Sequence, residues 1–287
     1  KVSPEYVSFR NYTGTSLDLS WLDTSNITSM GSMFESCNKL TSLDLSNFNT
    51  SNVIYLSYMF KNCTDLTNLD LSNFDTSKVT AMNYMFDYCR HLTSLDLSNF
   101  DTSKVTVMNY MFDYCEALTS LDLSNFNTSN VTNMRGMFNF CHQLTNLEIS
   151  NFNTSKVTNM SSMFYGFNRL KTLNISSFDT SNVTNMYGMF GYSKMSSIKG
   201  VIDMQNVTYA DSMFSGCSAL EEVHIHNLGT NLSLSDSPNL THDCLVELIN
   251  NLQTVTSTKT LTLGSTNLAK LTDAEKQVAT DKGWTLA

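Results

Sequence analysis

Acidic residues recur at a fixed interval and form the most regular set of chemically active side chains in the sequence. They are spaced 26 residues apart, at Asp18, Asp44, Asp70, Asp96, Asp122 and Glu148. If copies of one structural unit stack, these carboxylates lie about 5 Å apart and repel one another by roughly 0.8 kcal/mol per pair in water. Two interpretations fit this acidic row. It is either a solvated face that keeps the protein soluble, or a surface that holds a cationic ligand or a loosely bound divalent ion.

Cysteine follows the same interval. Five cysteines share one position of the unit, which holds Phe167 and Ser193 in later copies; they are Cys37, Cys63, Cys89, Cys115 and Cys141. A position that accepts Phe is an apolar pocket, and a free thiol packs there as a small hydrophobe. We therefore predict that all seven cysteines are free. Cross-linked units are the alternative, because stacking brings neighbouring thiols within disulfide range. The lack of a CxxC pair argues against a metal centre.

A smaller group of titratable side chains lies near residue 224. Glu222, His224 and His226 alternate along the chain and would share one face of a strand. Two exposed histidines without a third fixed ligand seldom hold a metal, so we predict no metal site. The chain also lacks a Ser-His-Asp set, a phosphate-binding loop and an HExxH motif. The sequence therefore predicts no catalytic residue and no cofactor.

Both intervals come from an internal repeat. The segment LDLSNFDTSKVTAMNYMFDYC at 69–89 recurs at 95–115 with one change, Ala81 to Val107. The Leu that opens it recurs every 26 residues, at Leu17, Leu43, Leu69, Leu95, Leu121, Leu147 and Leu173. Two degenerate copies follow before residue 228, which makes about nine rungs. Because each unit buries its apolar side only against its neighbours, the stack is one elongated domain.

Each repeat combines a strand pattern with a helix pattern. In one copy Leu69 and Leu71 alternate with polar neighbours, which predicts a strand with one dry face. The following SNFDTS segment at 72–77 is rich in turn-forming residues. Four apolar residues then occur at i, i+3, i+4 and i+7, which predicts a short helix with Thr80 as its N-cap; they are Met82, Met85, Phe86 and Cys89. The repeat is therefore predicted to be α/β, with short helices opposite the strands.

This combination resembles a leucine-rich repeat. The LxxLxL run at 66–71 looks like the strand signature of that family. Phe74 stands where many such repeats carry Asn, and Asn73 comes one residue early. That departure and the MFxxCxxL run at 85–92 resemble BspA-like repeats of bacterial surface proteins, in the 26-residue LDLSNFDTSKVTNMxxMF form also found in mycoplasma surface lipoproteins. The resemblance implies a right-handed solenoid with one parallel sheet, attachment to the cell surface, and adhesion to host proteins or other cells.

The two ends lack the repeat and are predicted to cap the stack. The first 16 residues carry Tyr6, Phe9 and Tyr12, enough apolar surface to cover an open core end. The last segment contains an amphipathic helix pattern, a KTLTL strand, and a TDAE capping box before a second helix. The predicted domains are an N-terminal cap at 1–16, a leucine-rich-repeat solenoid at 17–228 and a C-terminal α/β cap at 229–287.

Aromatic residues fill two positions that vary between repeats. One position lies between the two Met residues and the other precedes Cys, and neither is on the predicted core face. The middle repeats place six rings there, at Tyr58, Tyr84, Tyr110, Tyr88, Tyr114 and Phe140. We expect two adjacent, partly exposed columns. Large exposed apolar patches mark partner sites, so these are candidate partner-binding residues. The alternative is that neighbouring rings only brace the stack.

The composition argues against several classes of partner. A formal net charge of −9 disfavours nucleic acids and anionic membranes. No apolar run approaches the roughly 18 residues of a membrane helix, so no membrane insertion is expected within this segment. No signal peptide is recognisable. We expect a monomer that, by the resemblance, is extracellular or lies on a cell surface.

Three functional hypotheses follow. The first is a non-enzymatic binding or adhesion module that presents a repeated face to a protein or glycan on a host or neighbouring cell, where weak contacts add through multivalency. The second is a parallel β-helix enzyme acting on polysaccharides. Both the uniform acidic row and the helix pattern disfavour it, because catalysis uses carboxylates in different environments. The third is a structural spacer or a phage receptor-binding segment.

Overall fold

The computed structural model describes all 287 residues and shows a solenoid of stacked, parallel rungs. Single residues of successive rungs pair in parallel; they are Ser29, Tyr55, Ala81, Val107, Asn133, Asn159, Asn185 and Tyr209. Each step spans 26 residues except the last, which spans 24 and so contains the two-residue deletion. The predicted repeat solenoid with parallel pairing is confirmed.

The predicted strand at Leu69 and Leu71 does not form, because the N–H groups of these residues donate to no neighbouring rung. Regular strands begin at Ser120, and they form three separate sheets where one parallel sheet was predicted. β1 (Ser120–Asp122) pairs with β2 (Asn146–Glu148) in one parallel sheet. A second parallel sheet contains β3 (Thr172–Asn174), β4 (Ser197–Asp203) and β5 (Glu222–His226). The register pairs equivalent positions, such as Leu121 with Leu147. Apolar side chains therefore stack on apolar side chains along the solenoid.

The hydrophobic core runs unbroken through the stack. Eighty-four buried residues form one cluster. Its centre is a column of phenylalanines whose stacked rings lie 5.4–5.8 Å apart between centroids; they are Phe34, Phe60, Phe86, Phe112, Phe138, Phe164, Phe190 and Phe214. The predicted core residues are all buried, namely Leu69, Leu71, Met82, Met85 and Phe86. Continuous burial is what allows units without their own closed core to form one domain.

The predicted short helix between residues 82 and 89 is wrong. The segment is a succession of turns in every rung, and we call the stacked segments the turn ladder. Met85 donates its N–H to the carbonyl of Met82 within the rung, whereas Phe86 donates to the carbonyl of Met111 in the next rung at 2.9 Å. An α-helix would satisfy these groups internally. Here alternate N–H groups instead join neighbouring rungs.

Two positions of each turn segment have left-handed backbone conformations. They are the positions of the aromatic columns, where φ at the six aromatic residues lies between 53° and 64°. This region costs roughly 1–2 kcal/mol for a residue with a Cβ. Other repeats place residues there that tolerate it better, such as Asn62, Gly136 and Gly166. An α-helix contains no left-handed residue, which is the second reason that the helix prediction fails.

A buried threonine ladder connects the rungs. Thr102 Oγ1 donates to the carbonyl of Asn127 at 3.0 Å and accepts from the Asn127 N–H at 2.8 Å. The same pair of bonds recurs in the other rungs, at Thr24, Thr50, Thr76, Thr128, Thr154 and Thr180. Because each hydroxyl both donates and accepts, these buried side chains leave no polar group unpaired.

An asparagine ladder runs beside it. Asn73 Nδ2 donates to the carbonyls of Leu45 and Phe48 in the preceding rung, at 3.0 and 2.9 Å. Asn47, Asn99 and Asn125 repeat this pair of contacts. Asn73 therefore bonds across rungs although it lies one residue before the usual asparagine of a leucine-rich repeat.

The cysteines are free, as predicted, and all seven are buried. Cys89 Sγ donates to the carbonyl of Phe60 at 3.2 Å. Burial raises the pKa of the Cys89 and Cys115 thiols. Both thiols therefore stay protonated, and protonated thiols react poorly.

Alkylation without reduction tests this arrangement. The denatured protein is expected to carry seven labels, and the native protein none over the same time, because all seven thiols are buried. The count is read by intact-mass spectrometry. Labels lost in pairs from the denatured protein would reveal disulfides, and rapid labelling of the native protein would show that the core is open.

The N-terminal residues add one partial rung. The Phe9 ring stacks on Phe34 with centroids 5.6 Å apart, and the Phe9 N–H donates to the carbonyl of Met33. Tyr12 also packs on the core. Tyr6 is 65% exposed and does not cover the core end. That expectation is wrong because the contacts of this segment with the core begin at Val7.

The C-terminal residues contain the predicted elements. α1 (His242–Asn250), β7 (Lys259–Thr262) and α3 (Asp273–Asp281) match the patterns, and Thr272 and Glu275 form the capping box. A third parallel sheet has the order β6 (Leu232–Ser233), β7, β8 (Trp284–Leu286), and α2 (Gly264–Leu268) is a short helix. Leu228 pairs in parallel with Leu252, so backbone pairing continues past residue 228. None of the three helices has the length and apolar character needed to cross a membrane.

Candidate functional site

The six candidate aromatic residues lie on the turn ladder and form two stacked columns. In the first column the Tyr84 ring lies 4.8 Å from both Tyr58 and Tyr110, between centroids. In the second column Tyr114 lies 4.3 Å from Tyr88 and 4.5 Å from Phe140. All six residues are half-buried. Because stacking covers the ring faces, the edges of the rings are left to meet solvent.

Each column ends at a glycine that makes room for its last ring. A Cβ on Gly136 would lie 2.4 Å from the Tyr110 ring, and a Cβ on Gly166 would lie 3.0 Å from the Phe140 ring. The rings therefore lean over the following rung. Where that rung carries another ring the two stack, and aromatic pairs of this kind contribute about 0.5–1.5 kcal/mol. Stacking thus offsets part of the cost of the left-handed backbone.

Cations flank the columns. Lys61 Nζ lies 4.6 Å from the centroid of Tyr84. The Arg90 guanidinium carbon lies 4.9 Å from the Tyr88 ring, and that of Arg135 lies 5.4 Å from the Tyr110 ring. Such contacts contribute about 0.5–1 kcal/mol each at exposed sites. Lys61 and Arg90 are also paired with the carboxylates of Asp87 and Glu116, at 2.8 and 2.7 Å, whereas Arg135 forms no ion pair.

Two buried aspartates lie between the columns, and sequence reasoning missed them. Asp87 and Asp113 occupy the same position of successive rungs and are 1% and 6% exposed. Asp87 Oδ2 lies 2.8 Å from Lys61 Nζ, whereas Asp87 Oδ1 is buried without a hydrogen-bond partner. Asp113 accepts a bond from Asn139 Nδ2 at 2.8 Å. The sequence did contain a signal for their burial, because Asp87 lies between the buried residues Phe86 and Cys89.

The environment of this pair favours protonation. Burial, followed by the charge of Asp87, raises the pKa of Asp113 to about 7. Burial also raises the pKa of Asp87, although Lys61 opposes that change. The pair therefore carries less than two negative charges near neutral pH.

The acidic row lies between the two apolar residues of each Leu-x-Leu segment, on the side away from the core, where its carboxylates close turns. Asp70 Oδ1 accepts from the Ser72 N–H at 2.9 Å. The same bond recurs in four other rungs, from Ser20, Ser46, Ser98 and Ser124, and Glu148 repeats it with Ser150 at 3.1 Å. The Ser72 backbone and then its hydroxyl lower the pKa of Asp70. No group of three or more His, Cys, Asp or Glu residues is arranged to hold a metal ion.

A second titratable cluster forms where α1 packs on β5. Glu247 Oε2 lies 2.8 Å from His224 Nδ1, and its Oε1 lies 2.9 Å from His226 Nε2. Glu222 Oε1 lies 3.4 Å from His224 Nε2. Burial disfavours the charged form of His224, but the bonds to Glu247 and Glu222 outweigh it and raise its pKa. The three residues predicted on one strand face do cluster, and Glu247 is the member that the sequence did not reveal.

A comparison with protein families gives a match over the repeats. The family model described as "Mycoplasma protein of unknown function, DUF285" matches residues 6–121 and 116–228, which together are more than half of the chain. The chain belongs to the DUF285 family. The matched residues contain the partial rung, both aromatic columns and the acidic row, so all the candidate surface residues lie within the DUF285 repeats.

Comparisons with individual proteins add little to this assignment. A comparison of the DUF285 chain with curated proteins finds no match. Among solved structures it is similar to a chain described as the functional domain of InlJ from Listeria monocytogenes, which includes a cysteine ladder. The identity is 17%, the match covers 87% of this chain and 67% of that chain, and the TM-score is 0.21. A similarity with this TM-score supports no conclusion about the fold or function of the chain.

Proposed function

We propose that this DUF285 chain is a non-enzymatic binding module whose turn ladder meets a protein or glycan on a host or neighbouring cell. The observation that carries the proposal is the pair of aromatic columns, six stacked rings with flanking cations on one continuous surface. Tyr and Arg are enriched where partners contribute most binding energy. The rungs hold these side chains in place, so little conformational entropy is lost on binding.

The columns favour a partner that offers acidic or hydrogen-bond acceptor groups. Ring edges carry partial positive charge, and stacking turns these edges outward. The tyrosine hydroxyls, Arg90 and Arg135 add donors to the same surface. Because the columns extend over several rungs, a partner with repeated groups would gain affinity through multivalency.

We propose no catalytic role for any residue and no cofactor. The carboxyl pair with the most perturbed environment, Asp87 and Asp113, lines none of the five main clefts of the molecule. The carboxylates of the acidic row share one environment. An acid–base pair would need two different environments within reach of a substrate.

We also propose that the repeats are BspA-like leucine-rich repeats, which the MFxxCxxL run and the asparagine ladder support. That resemblance implies a right-handed solenoid. The partial rung at 7–12 and the elements after residue 228 support a capping role for both ends. We also propose a cell-surface location and a monomeric state. The net charge of −9 supports the proposal that no nucleic acid is a partner.

A double replacement of Tyr84→Gly and Tyr110→Gly tests the binding surface. Glycine is the matched replacement because both tyrosines have left-handed φ and Gly136 occupies the same position in the next rung. Once protein and glycan arrays probed with the intact chain give a ligand, the double variant is expected to bind it at least about tenfold more weakly. The affinity is measured by surface plasmon resonance, and the melting temperature is compared in parallel.

Two matched controls separate binding from bracing. Tyr192→Gly removes a ring at the other left-handed position, that of Tyr88 and Tyr114, from a 57% exposed site outside both columns, and should leave binding unchanged. The double variant Asp70→Asn, Asp96→Asn should weaken binding only if the ligand is cationic. If the double tyrosine variant binds as well as the wild type, the columns only brace the stack and the proposed surface is wrong.

A further inference from the structure

The turn ladder ends with unpaired hydrogen-bond donors. In the rung before the last, four alternate N–H groups donate to carbonyls of the next rung: Met186 to Tyr209, Gly188 to Asp211, Phe190 to Met213 and Tyr192 to Ser215, at 2.6–3.0 Å. The equivalent donors of the last rung are Ala210, Ser212, Phe214 and Gly216. Gly216 donates to Asp236 Oδ2 at 2.8 Å. The other three donate to no acceptor in the protein.

A polar groove runs along two of these free donors, Ala210 and Ser212. Ala210, Asp211 and Ser212 form one wall, and the other wall consists of Asn231, Leu232, Ser233, Thr260 and Thr262 from β6, β7 and the segment before β6. The groove measures about 230 Å³ and is open to solvent. It exists because the next segment of the chain pairs with β7 as β6 instead of bonding to the last turn segment, and the two segments meet again only at the Gly216–Asp236 contact. The N–H groups of Ala210 and Ser212 are therefore left without a backbone partner.

We propose that this groove binds an extended peptide strand of a partner protein, which inserts between the last turn segment and β6. Alternate carbonyl groups of the peptide accept bonds from the N–H groups of Ala210 and Ser212, which line the groove. Addition of a strand to an exposed backbone edge is a recurrent way of recognising peptides. Thr260 and Thr262 line the opposite wall, where their hydroxyls would pair with polar groups of the peptide.

The charge of the groove selects the kind of peptide. Asp211 lines one wall and Asp236 caps the neighbouring donor, whereas no Lys or Arg lines the groove. These carboxylates repel a free phosphate or a peptide carboxylate, although exposed N–H groups alone would attract anions. A neutral or basic peptide suits both the donors and the acidic walls. The Asp236 contact shows that an oxygen acceptor fits this edge of the ladder.

Amide hydrogen exchange measured by NMR tests the free donors first. Ser212 and Gly188 occupy equivalent left-handed positions of successive rungs, but only Gly188 has an acceptor. In the free protein the Ser212 amide is expected to exchange at least about tenfold faster than that of Gly188. Equal protection of the two amides in the dilute protein would overturn the proposal, because it would mean that the donor is already satisfied within the chain.

Peptide binding is tested with a probe that copies a rung. A synthetic peptide with the sequence of residues 183–192, which contains no charged residue, and a C-terminal amide is titrated to millimolar concentration. It is expected to slow exchange at Ser212 severalfold and to leave Gly188 unchanged. A Ser233→Trp variant, which fills the groove, should abolish the effect, whereas Ser257→Trp, on an exposed position outside it, should not. The proposal is overturned if the peptide leaves Ser212 unaffected or protects it equally in Ser233→Trp.

The same measurement identifies a different occupant. If exchange at Ser212 slows as the concentration of the protein alone rises, a second copy of this chain fills the groove, and the partner-peptide proposal is wrong. The aromatic columns lie on the rungs from residue 58 to residue 140 and the groove lies at the last rung. The tyrosine double variant should therefore leave peptide binding at the groove intact.

Discussion

Replacing Phe112 by alanine is expected to destabilise the protein by about 3–5 kcal/mol, the usual cost of removing a fully buried phenylalanine. The Phe112 ring is wholly buried, and its centroid lies 5.7 Å from that of Phe86 and 5.8 Å from that of Phe138. The cavity left by its removal would lie between two rings that the backbone ladders hold in place, so the site cannot collapse. The free energy of unfolding is measured by denaturation in guanidinium chloride.

Two further variants control for position and shape. Phe112→Leu keeps most of the volume and should cost about 1.5 kcal/mol or less. Phe9→Ala removes the last ring of the same column, where the residue is only partly buried, and should cost clearly less than Phe112→Ala. Equal losses for Phe9→Ala and Phe112→Ala would contradict a continuous core with a partial rung at its end.

Replacing Asp113 by asparagine is expected to stabilise the protein by about 2 kcal/mol at pH 8 and to have almost no effect at pH 3. The pKa of Asp113 is about 7 in the folded protein against an ordinary 3.8, a gap worth at most about 4 kcal/mol. Between these two values the folded state holds a proton that the unfolded state has lost, so stability falls as pH rises through this window. Asparagine carries no charge at any pH, and its Oδ1 can still accept the bond from Asn139.

The measurement is the melting temperature of wild type and variant from pH 3 to pH 9. The two curves should separate as pH rises towards 7 and then run parallel. Asp70→Asn is the control, because Asp70 is fully exposed and its pKa is lowered. The Asp70→Asn variant should be less stable than the wild type at pH values above the ordinary pKa of an aspartate, whereas Asp113→Asn should be more stable. A pH-independent difference between Asp113→Asn and wild type would show that the buried carboxyl is not protonated in the folded state.

The repeat and its core could be predicted from sequence because they depend on period and polarity alone. The 26-residue interval and the alternation of Leu69 and Leu71 were enough to predict stacked parallel rungs and most of the buried residues. The capping box at Thr272 was equally local and is confirmed. These features depend on burial and on short-range hydrogen bonds, which leave a direct trace in the order of the residues.

The turn ladder could not be predicted in the same way. Met82, Met85, Phe86 and Cys89 have helical spacing, and they are all buried, but the backbone that buries them donates alternate N–H groups to the next rung. Spacing alone does not reveal where backbone bonds go. Glycine and asparagine at the variable positions, such as Gly136 and Asn62, were the signal for left-handed backbone that the periodicity argument did not use.

The candidate site was predicted in part. All six aromatic residues lie together in the two expected columns and are partly exposed, as predicted, because stacking covers the ring faces and leaves the edges free. The absence of helices from the rungs also removes one of the two arguments against a β-helix enzyme. The other argument stands on the structure, because each Asp of the acidic row accepts the same bond from a serine two residues later.

The bonds that join one rung to the next run along the length of the solenoid. They include the backbone bonds of the turn ladder and the threonine and asparagine ladders. A pull on the two ends therefore loads the rungs in series, and the weakest one opens while the others hold. Each opened rung releases 26 residues, or about 90 Å of extended chain. A molecule held at one end and attached at the other would lengthen stepwise under tension and limit the force that reaches its attachment.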